Sequence, residues 1–150
     1  MAMKMNGQVQ LAASRDVVWA KLNDPEVLKS CIPGSEQFDR VSDSEFQAIA
    51  TVKVGPVKAR WKGKVRLSDL DPPNSYRISG EGEGGVAGFA KGGAKVSLTD
   101  KDGGTLLTYD VEAQIGGKLA QLGQRLINSA AKKTADDFFA KFAAAVTQPG

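Results

Sequence analysis

The sequence contains no histidine and a single cysteine, Cys31. Without histidine, the chain can form no Ser-His-Asp or Cys-His catalytic centre and no metal site with histidine ligands. A single cysteine cannot form an intramolecular disulfide or a cysteine-based zinc site, which favours a reducing compartment. There is also no run of the roughly 18 apolar residues needed to span a membrane, and no signal-peptide pattern. We therefore expect a cytoplasmic protein with no catalytic residues, metal or bound cofactor.

The length and charge balance are those of a small globular protein. With 150 residues, of which 41% are hydrophobic and 25% charged, one domain spanning residues 1–150 is expected. The net charge of +3 is a mild bias towards anionic partners. The largest charge feature is a basic stripe that alternates along one predicted strand: Lys58, Arg60, Lys62, Lys64 and Arg66.

The basic stripe has two interpretations. The simpler is a solvated outer face of a sheet, and the alternative is a docking surface for acidic lipid or an acidic partner. Aromatic residues that could stack on bases are not interleaved with the cations, so we expect no nucleic-acid binding.

The hydrophobic periodicity predicts an α+β chain. Ser14 and Asp24 are typical N-caps of two short helices, and a helical period over 118–146 indicates one long helix that ends before Pro149-Gly150. Strands are predicted at 3–12, 35–42, 45–54, 57–67, after the 71–74 turn, at 91–99 and at 104–115. This order predicts a helix-grip fold, in which a bent antiparallel sheet of six to seven strands wraps around the long C-terminal helix.

A glycine-rich segment, GEGEGGVAGFAKGG, occupies residues 80–93 and begins with the pattern G-x-G-x-x-G. A dinucleotide site would require a helix to begin near Gly85, and the three glycines that follow would interrupt such a helix. Strand pairing explains the segment better. A hairpin through the 71–74 turn places Lys64 opposite Glu81 on one face and Gly63 opposite Gly82 on the other.

So many small residues on an inner sheet face either admit the long helix closely or leave space. We favour a residual apolar cavity, since such cavities are the usual sites of small ligands. The predicted lining consists of Trp19, Ile32, Phe46, Ala48, Ala50, Trp61, Ile78, Gly82, Phe89, Tyr109, Leu122 and Leu126.

Several segments resemble a known family. VVWAKLNDPEVLKSCIPGSE (17–36) resembles the first-helix signature of the START/SRPBCC helix-grip superfamily. KVGPVKAR (53–60), LDPPNSY (70–76) and GFAKGGAKV (88–96) resemble its CoxG branch, a family named after carbon monoxide dehydrogenase. The resemblance implies an accessory protein of a molybdenum-containing carbon monoxide dehydrogenase or a related oxidoreductase. It also implies roles in enzyme maturation, membrane recruitment or electron-acceptor delivery, and binding of an apolar ligand such as a quinone or a lipid.

Members of this family often add an apolar anchor after the long helix, and the sequence ends instead at VTQPG, so we expect a short or a truncated form. Peripheral contact with the inner face of a membrane is a further expectation, through a rim formed by 24–34 and 84–92. This rim combines apolar residues with cations. The rim residues are Val27, Leu28, Lys29, Ile32, Val86, Phe89 and Lys91.

The alternative function is that of a small helix-grip cyclase or hydrolase that uses cavity tyrosines, Tyr76 and Tyr109. The strand alternation places the nearby carboxylates, Glu81 and Asp110, on the outer face, which lowers the weight of this alternative.

Overall fold

The computed structural model describes residues 1–147, and it contains one seven-stranded antiparallel sheet and three α-helices within that range. The predicted end of the last helix at Pro149-Gly150 lies outside the described residues. The elements are β1 (Ala2–Leu11), α1 (Arg15–Leu22), α2 (Pro25–Cys31), β2 (Ser35–Ser42), β3 (Glu45–Val54), β4 (Val57–Asp71), β5 (Ser75–Glu83), β6 (Phe89–Lys101), β7 (Gly104–Gly116) and α3 (Gln124–Thr147).

The strand order in the sheet is β1-β7-β6-β5-β4-β3-β2, so that β2 to β7 form a meander and β1 pairs with β7. The hairpin predicted through the 71–74 turn is confirmed, because Lys64 lies opposite Glu81 and Gly63 opposite Gly82. The two short helices connect the two edge strands, and α3 packs across the sheet against β1 and β3. The helix-grip fold predicted from the sequence is therefore confirmed.

Local capping explains where the short helices begin. The Ser14 hydroxyl accepts a hydrogen bond from the Val17 amide at 3.3 Å, and the Asp24 carboxylate accepts one from the Glu26 amide at 3.0 Å. Pro25 occupies the first position of α2, where its missing N–H is not needed. These bonds satisfy amides that have no partner inside the helix.

The long helix is shorter than predicted. A single 3₁₀ turn, Ala120–Leu122, follows β7, and α3 begins only at Gln124. Gly123 has a φ of +93°, which is incompatible with a continuous right-handed helix from residue 118. Leu119 and Leu122 continue the helical spacing in the sequence, although they precede the helix itself.

The glycine-rich segment forms strand ends and a short connection. Gly85–Ala87 make a single 3₁₀ turn, and the chain returns to strand at Phe89. The backbone of this β5–β6 connection is fixed by a hydrogen bond of 2.9 Å from the Gly84 amide to the Gly88 carbonyl. A dinucleotide-binding helix is therefore not formed at this position.

Two clusters of buried apolar side chains lie between the sheet and the helices. The main cluster joins α1, α2 and the C-terminal part of α3 to the sheet, and it includes Val18, Leu107 and Phe142. The second cluster lies near the start of α3 and includes Ile115 and Ile127. The region between them contains the candidate site.

Candidate functional site

An apolar cavity of about 460 Å³ lies between the inner face of the sheet and α3. Its volume falls within the range of typical small-molecule sites, about 300–1,000 Å³. The lining residues come from β1, the α2–β2 connection, β3, β5, β6, β7, the segment before α3, and α3 itself. They are Met3, Met5, Ile32, Pro33, Val54, Ile78, Ala90, Ala94, Val96, Tyr109, Val111, Ala113, Ile115, Leu119, Ile127, Ala130, Ala131, Thr134, Ala135, Phe138 and Phe139.

The space results from small side chains that face each other. Ala90 and Ala94 on β6 and Ala113 on β7 form part of the sheet wall, and Ala131 and Ala135 form part of the helix wall. A leucine or phenylalanine at these positions would fill much of the gap, whereas alanine leaves it open. The cavity therefore follows from small residues at positions where a tightly packed core would carry large ones.

Polar side-chain groups in the lining are limited to Tyr109 and Thr134, and none of the lining residues is charged. The Thr134 hydroxyl already bonds to the Ala130 carbonyl of its own helix at 2.9 Å. Tyr109 stacks on Phe139, with ring centroids 5.2 Å apart. The Tyr109 hydroxyl is therefore the side-chain group in this lining that can hydrogen-bond to a ligand.

A smaller apolar pocket of about 120 Å³ adjoins the cavity. Val54, Ala90 and Leu119 line both spaces, so the two are contiguous. The pocket is completed by Trp61, whose ring lies over Gly84 of the β5–β6 connection. This pocket extends the cavity towards the end of the molecule where the β3–β4 turn and the β5–β6 connection lie.

An open groove of about 640 Å³ runs beside the cavity between β1 and α3. The stacked rings of Tyr109 and Phe139 line both the groove and the cavity. In the groove the Lys132 ammonium donates a 2.9 Å hydrogen bond to the Asp136 carboxylate. This bond and the charge of Asp136 raise the pKa of Lys132, and Tyr109 adds to the effect.

Three residues predicted to line a cavity do so: Ile32, Ile78 and Tyr109. Trp61 lines the adjoining smaller pocket. Leu122 packs beside the second apolar cluster, next to the cavity wall.

The other predicted residues lie elsewhere. Trp19 packs edge-on against Tyr76 in the main cluster. Phe46 is fully buried against Phe38, and Leu126 is 37% exposed. The remaining three, which belong to β3 and β5, are absent from the cavity wall: Ala48, Ala50 and Gly82.

The inward orientation predicted for Phe89 is wrong. Phe89 lies opposite Glu83 in the β5–β6 ladder, so that it shares the outer face with Glu83 and is 50% exposed. Its ring lies over Gly116 of β7, which has no side chain of its own. The adjacent residue Ala90 faces inward instead.

Sequence reasoning missed most of the α3 wall. Ala130, Ala131, Ala135, Phe138 and Phe139 recur at a helical spacing that is equally typical of ordinary core packing. The informative signal is the small size of the first three, at the level where β6 and β7 also carry alanine. Small residues on both walls at one level indicate a gap between them.

The buried titratable groups lie outside the cavity. Burial raises the pKa of the Tyr76 phenol far above its ordinary range. Burial also raises the pKa of the Cys31 thiol, although a hydrogen bond with Ser30 and the charge of Lys141 oppose this effect. Both groups therefore stay protonated at neutral pH, and Cys31 is a packed residue rather than a nucleophile.

Metal ligation and membrane crossing find no counterpart in residues 1–147. Among these residues, no group of three or more cysteine, aspartate or glutamate side chains is placed to hold a metal ion. None of the helices in this range combines the length and apolar character required to cross a bilayer.

Comparison with known proteins gives a family match over nearly the whole chain. Residues 7–147 match the model of the carbon monoxide dehydrogenase CoxG family. A conserved protein from Geobacillus kaustophilus, known from its crystal structure, is 32% identical; the match covers 96% of this chain and 95% of that chain, with a TM-score of 0.90. A search of the curated proteins finds no match.

More distant solved structures share the fold. A START superfamily protein from Mycobacterium smegmatis is 15% identical over 95% of this chain and 96% of that chain, with a TM-score of 0.70. The di-domain ARO/CYC BexL from the BE-7585A biosynthetic pathway is 9% identical over 99% of this chain and 51% of that chain, also with a TM-score of 0.70. At these identities the likeness concerns the helix-grip fold alone.

Proposed function

The chain belongs to the carbon monoxide dehydrogenase CoxG family, and from this premise we propose that it is a non-catalytic accessory protein of a molybdenum carbon monoxide dehydrogenase-type oxidoreductase. In this proposal it binds one apolar molecule, a quinone or a lipid, in the 460 Å³ cavity. It then assists enzyme maturation, membrane recruitment or delivery of the electron acceptor. It works in the cytoplasm, with peripheral contact at the inner face of the membrane.

The observation that carries the proposal is the uncharged cavity with Tyr109 at one side. An apolar wall favours a ligand that loses little hydration on entry, and one hydroxyl can orient a ligand that carries a carbonyl. A quinone has both properties, since its carbonyl oxygens accept hydrogen bonds and its ring and tail are apolar. A lipid ester carbonyl would meet the same hydroxyl.

The alternative, a cyclase or hydrolase that uses cavity tyrosines, has less support. Tyr76 belongs to the main apolar cluster rather than to the cavity wall, and burial raises the pKa of its phenol, which opposes a role as a base. The cavity wall has no carboxylate, and the outer-face residues Glu81 and Asp110 are exposed. General acid–base catalysis needs a titratable group within reach of the substrate.

Titration with decylubiquinone tests the ligand class. We expect saturable binding of one molecule per chain, and about fivefold weaker binding by Tyr109→Phe, because one hydrogen bond of roughly 1 kcal/mol is lost. Diphenylhexatriene, a hydrocarbon probe without a carbonyl, serves as the control and should bind the parent and Tyr109→Phe equally. An absence of saturable decylubiquinone binding to the parent would contradict the proposal.

A further inference from the structure

Three connections meet at one end of the molecule, which we call the β3–β4 end. Leu126, in the first turn of α3, contacts the β3–β4 turn at Gly55: a Cβ added to Gly55 would lie 2.9 Å from Leu126 Cδ2. The Leu119 amide donates a 2.9 Å hydrogen bond to the Ala87 carbonyl of the β5–β6 connection. The β3–β4 turn, the β5–β6 connection and the segment between β7 and α3 therefore form one continuous surface.

This surface is basic throughout. No aspartate or glutamate occurs within 46–68, 84–99 or 113–135, the three stretches that contain these connections. Exposed cations flank each of them: Lys53, Lys58, Lys91, Lys118 and Arg125.

Two of these cations face each other. Lys53 and Lys58 are direct cross-strand partners in the β3–β4 ladder. Like charges in this position destabilise a hairpin slightly. The carboxylate of Glu36 is engaged further along β4, 3.1 Å from the Arg60 guanidinium. An anionic surface lying against the hairpin would relieve the repulsion between the two lysines.

The same end exposes apolar side chains. Val86 is 83% exposed, the highest value among the exposed large hydrophobic residues of the described chain. It lies in the 3₁₀ turn beside Ala87, which is buried, so the turn is anchored while Val86 points into solvent. Pro56 and Leu126 are exposed nearby. Apolar residues held out among cations are typical of proteins that insert shallowly into an anionic bilayer surface.

The cavity extends towards this end. The 120 Å³ pocket lies beneath it, lined by Val52, Val57 and Trp61 together with residues shared with the main cavity. An apolar ligand that moved along this path would remain in contact with apolar side chains. An acidic protein partner would also match the cations, but it would not by itself explain an exposed valine above an apolar path.

We propose that the β3–β4 end docks on an anionic phospholipid bilayer and that the apolar ligand enters and leaves the cavity there, between Val54, Ala90 and Leu119. This inference rests on the proposed function for the identity of the cargo, but the docking surface can be tested without any cargo. It also differs from the rim expected from the sequence. Of that rim only the 84–92 part belongs to this end, while Val27 packs against the main apolar cluster.

Co-sedimentation with phosphatidylcholine vesicles, with and without phosphatidylglycerol, tests the docking surface. We expect binding only when phosphatidylglycerol is present, and weaker binding at higher salt. The double variant Lys53→Glu/Lys118→Glu should bind at least about tenfold more weakly, since each cation near the surface contributes roughly 1 kcal/mol. Its matched control, Lys64→Glu/Arg66→Glu, alters the same number of exposed cations on the outer face of β4 and should bind like the parent.

A second matched pair tests the apolar contribution. Val86→Ser should weaken vesicle binding, whereas Leu70→Ser, at the opposite end of β4 and 47% exposed, should not. All four variants should keep the parent's thermal midpoint and its decylubiquinone binding in the absence of vesicles, which shows that fold and cavity are intact.

Three outcomes would overturn the docking proposal: no binding to anionic vesicles, equal losses in both members of each pair, or a loss confined to the Lys64→Glu/Arg66→Glu variant. The first would point to a protein partner, and the third to the basic stripe on the outer face. Failure of decylubiquinone to bind would count against the proposed function alone, because vesicle binding is measured separately.

Discussion

Single aromatic residues cover glycines of neighbouring strands at three places in this protein. Tyr109 lies over Gly7 of β1, Trp61 over Gly84, and Phe89 over Gly116. A glycine in a strand leaves its backbone exposed and its position unpacked, and a ring from the next strand replaces the missing contacts. The glycines of the 80–93 segment are therefore partly explained by packing against rings rather than by phosphate binding.

At the residue scale, burial of Tyr76 predicts a specific loss of stability in alkali. The pKa of its phenol is raised in the folded state by burial, while in the unfolded chain it is about 10. The stabilising contribution is fully present below the unfolded value and is lost as the pH rises above it, because only the unfolded chain then ionises. We expect the urea midpoint of the parent to fall between about pH 9 and about pH 11 more steeply than that of Tyr76→Phe.

The comparison with Tyr76→Phe removes the contribution of lysines and other groups that titrate in the same range. The Tyr109→Phe variant is the matched control, since Tyr109 is only partly buried. Parallel pH profiles for the parent and Tyr76→Phe would show that the phenol of Tyr76 ionises in the folded state as it does in solution.

The residues of the site are only partly predictable from the sequence. Ile78 and Tyr109 follow from strand alternation, because the register predicted through the 71–74 turn is correct. The size of Phe89 favours the inner face, although alternation with Ala90 and Lys91 places it outside. Side-chain size is a weaker guide than strand parity at the first residue of a strand, where a ring can fold over the sheet edge.

Among the elements, the β5–β6 connection depends on one glycine conformation. Gly88 has φ +115° and ψ −150°, a region that is essentially restricted to glycine. A Cβ at this position would also collide with the Gly116 carbonyl and would lie 2.9 Å from Gly117 Cα. We expect Gly88→Ala to lower the free energy of unfolding by about 1–3 kcal/mol more than a strained but uncrowded substitution does.

Gly103→Ala provides that reference in a chemical denaturation series. Gly103 has φ +77°, and a Cβ added to it would have no atom within 4 Å, so alanine there incurs only the backbone strain of about 1–2 kcal/mol. Equal losses for the two variants would mean that the β5–β6 connection moves aside without cost, and that Gly88 does not hold it against β7.

The strands and short helices are predictable because local signals coincide with them. The caps at Ser14 and Asp24 and the alternation in β3 and β4 lie where the structure has these elements. The start of α3 is not predictable from periodicity, since Leu119 and Leu122 match the helical spacing. Gly123 interrupts that spacing by its backbone conformation, which the apolar pattern does not report.

At the scale of the whole molecule, the cavity is a consequence of how two clusters share one helix. The C-terminal part of α3 carries Phe138 and Phe142 into the main cluster, and Ile127 near its start belongs to the second cluster. Between them the helix presents Ala131 and Ala135 to the alanine-rich part of β6 and β7. The sequence allows either a filled or an open interior, and the distinction requires the three-dimensional register of α3 against the sheet.

The central claim is that this cavity holds an apolar molecule, and native mass spectrometry of protein purified from its own host tests it most directly. We expect the parent to carry one bound apolar molecule, identified after extraction as a quinone or a lipid. Ala135→Phe, which fills the cavity from α3, should lose that molecule, while Ala144→Phe, on the exposed side of the same helix, should retain it. Protein that carries no apolar molecule, or Ala135→Phe that retains it as well as Ala144→Phe does, would contradict the claim.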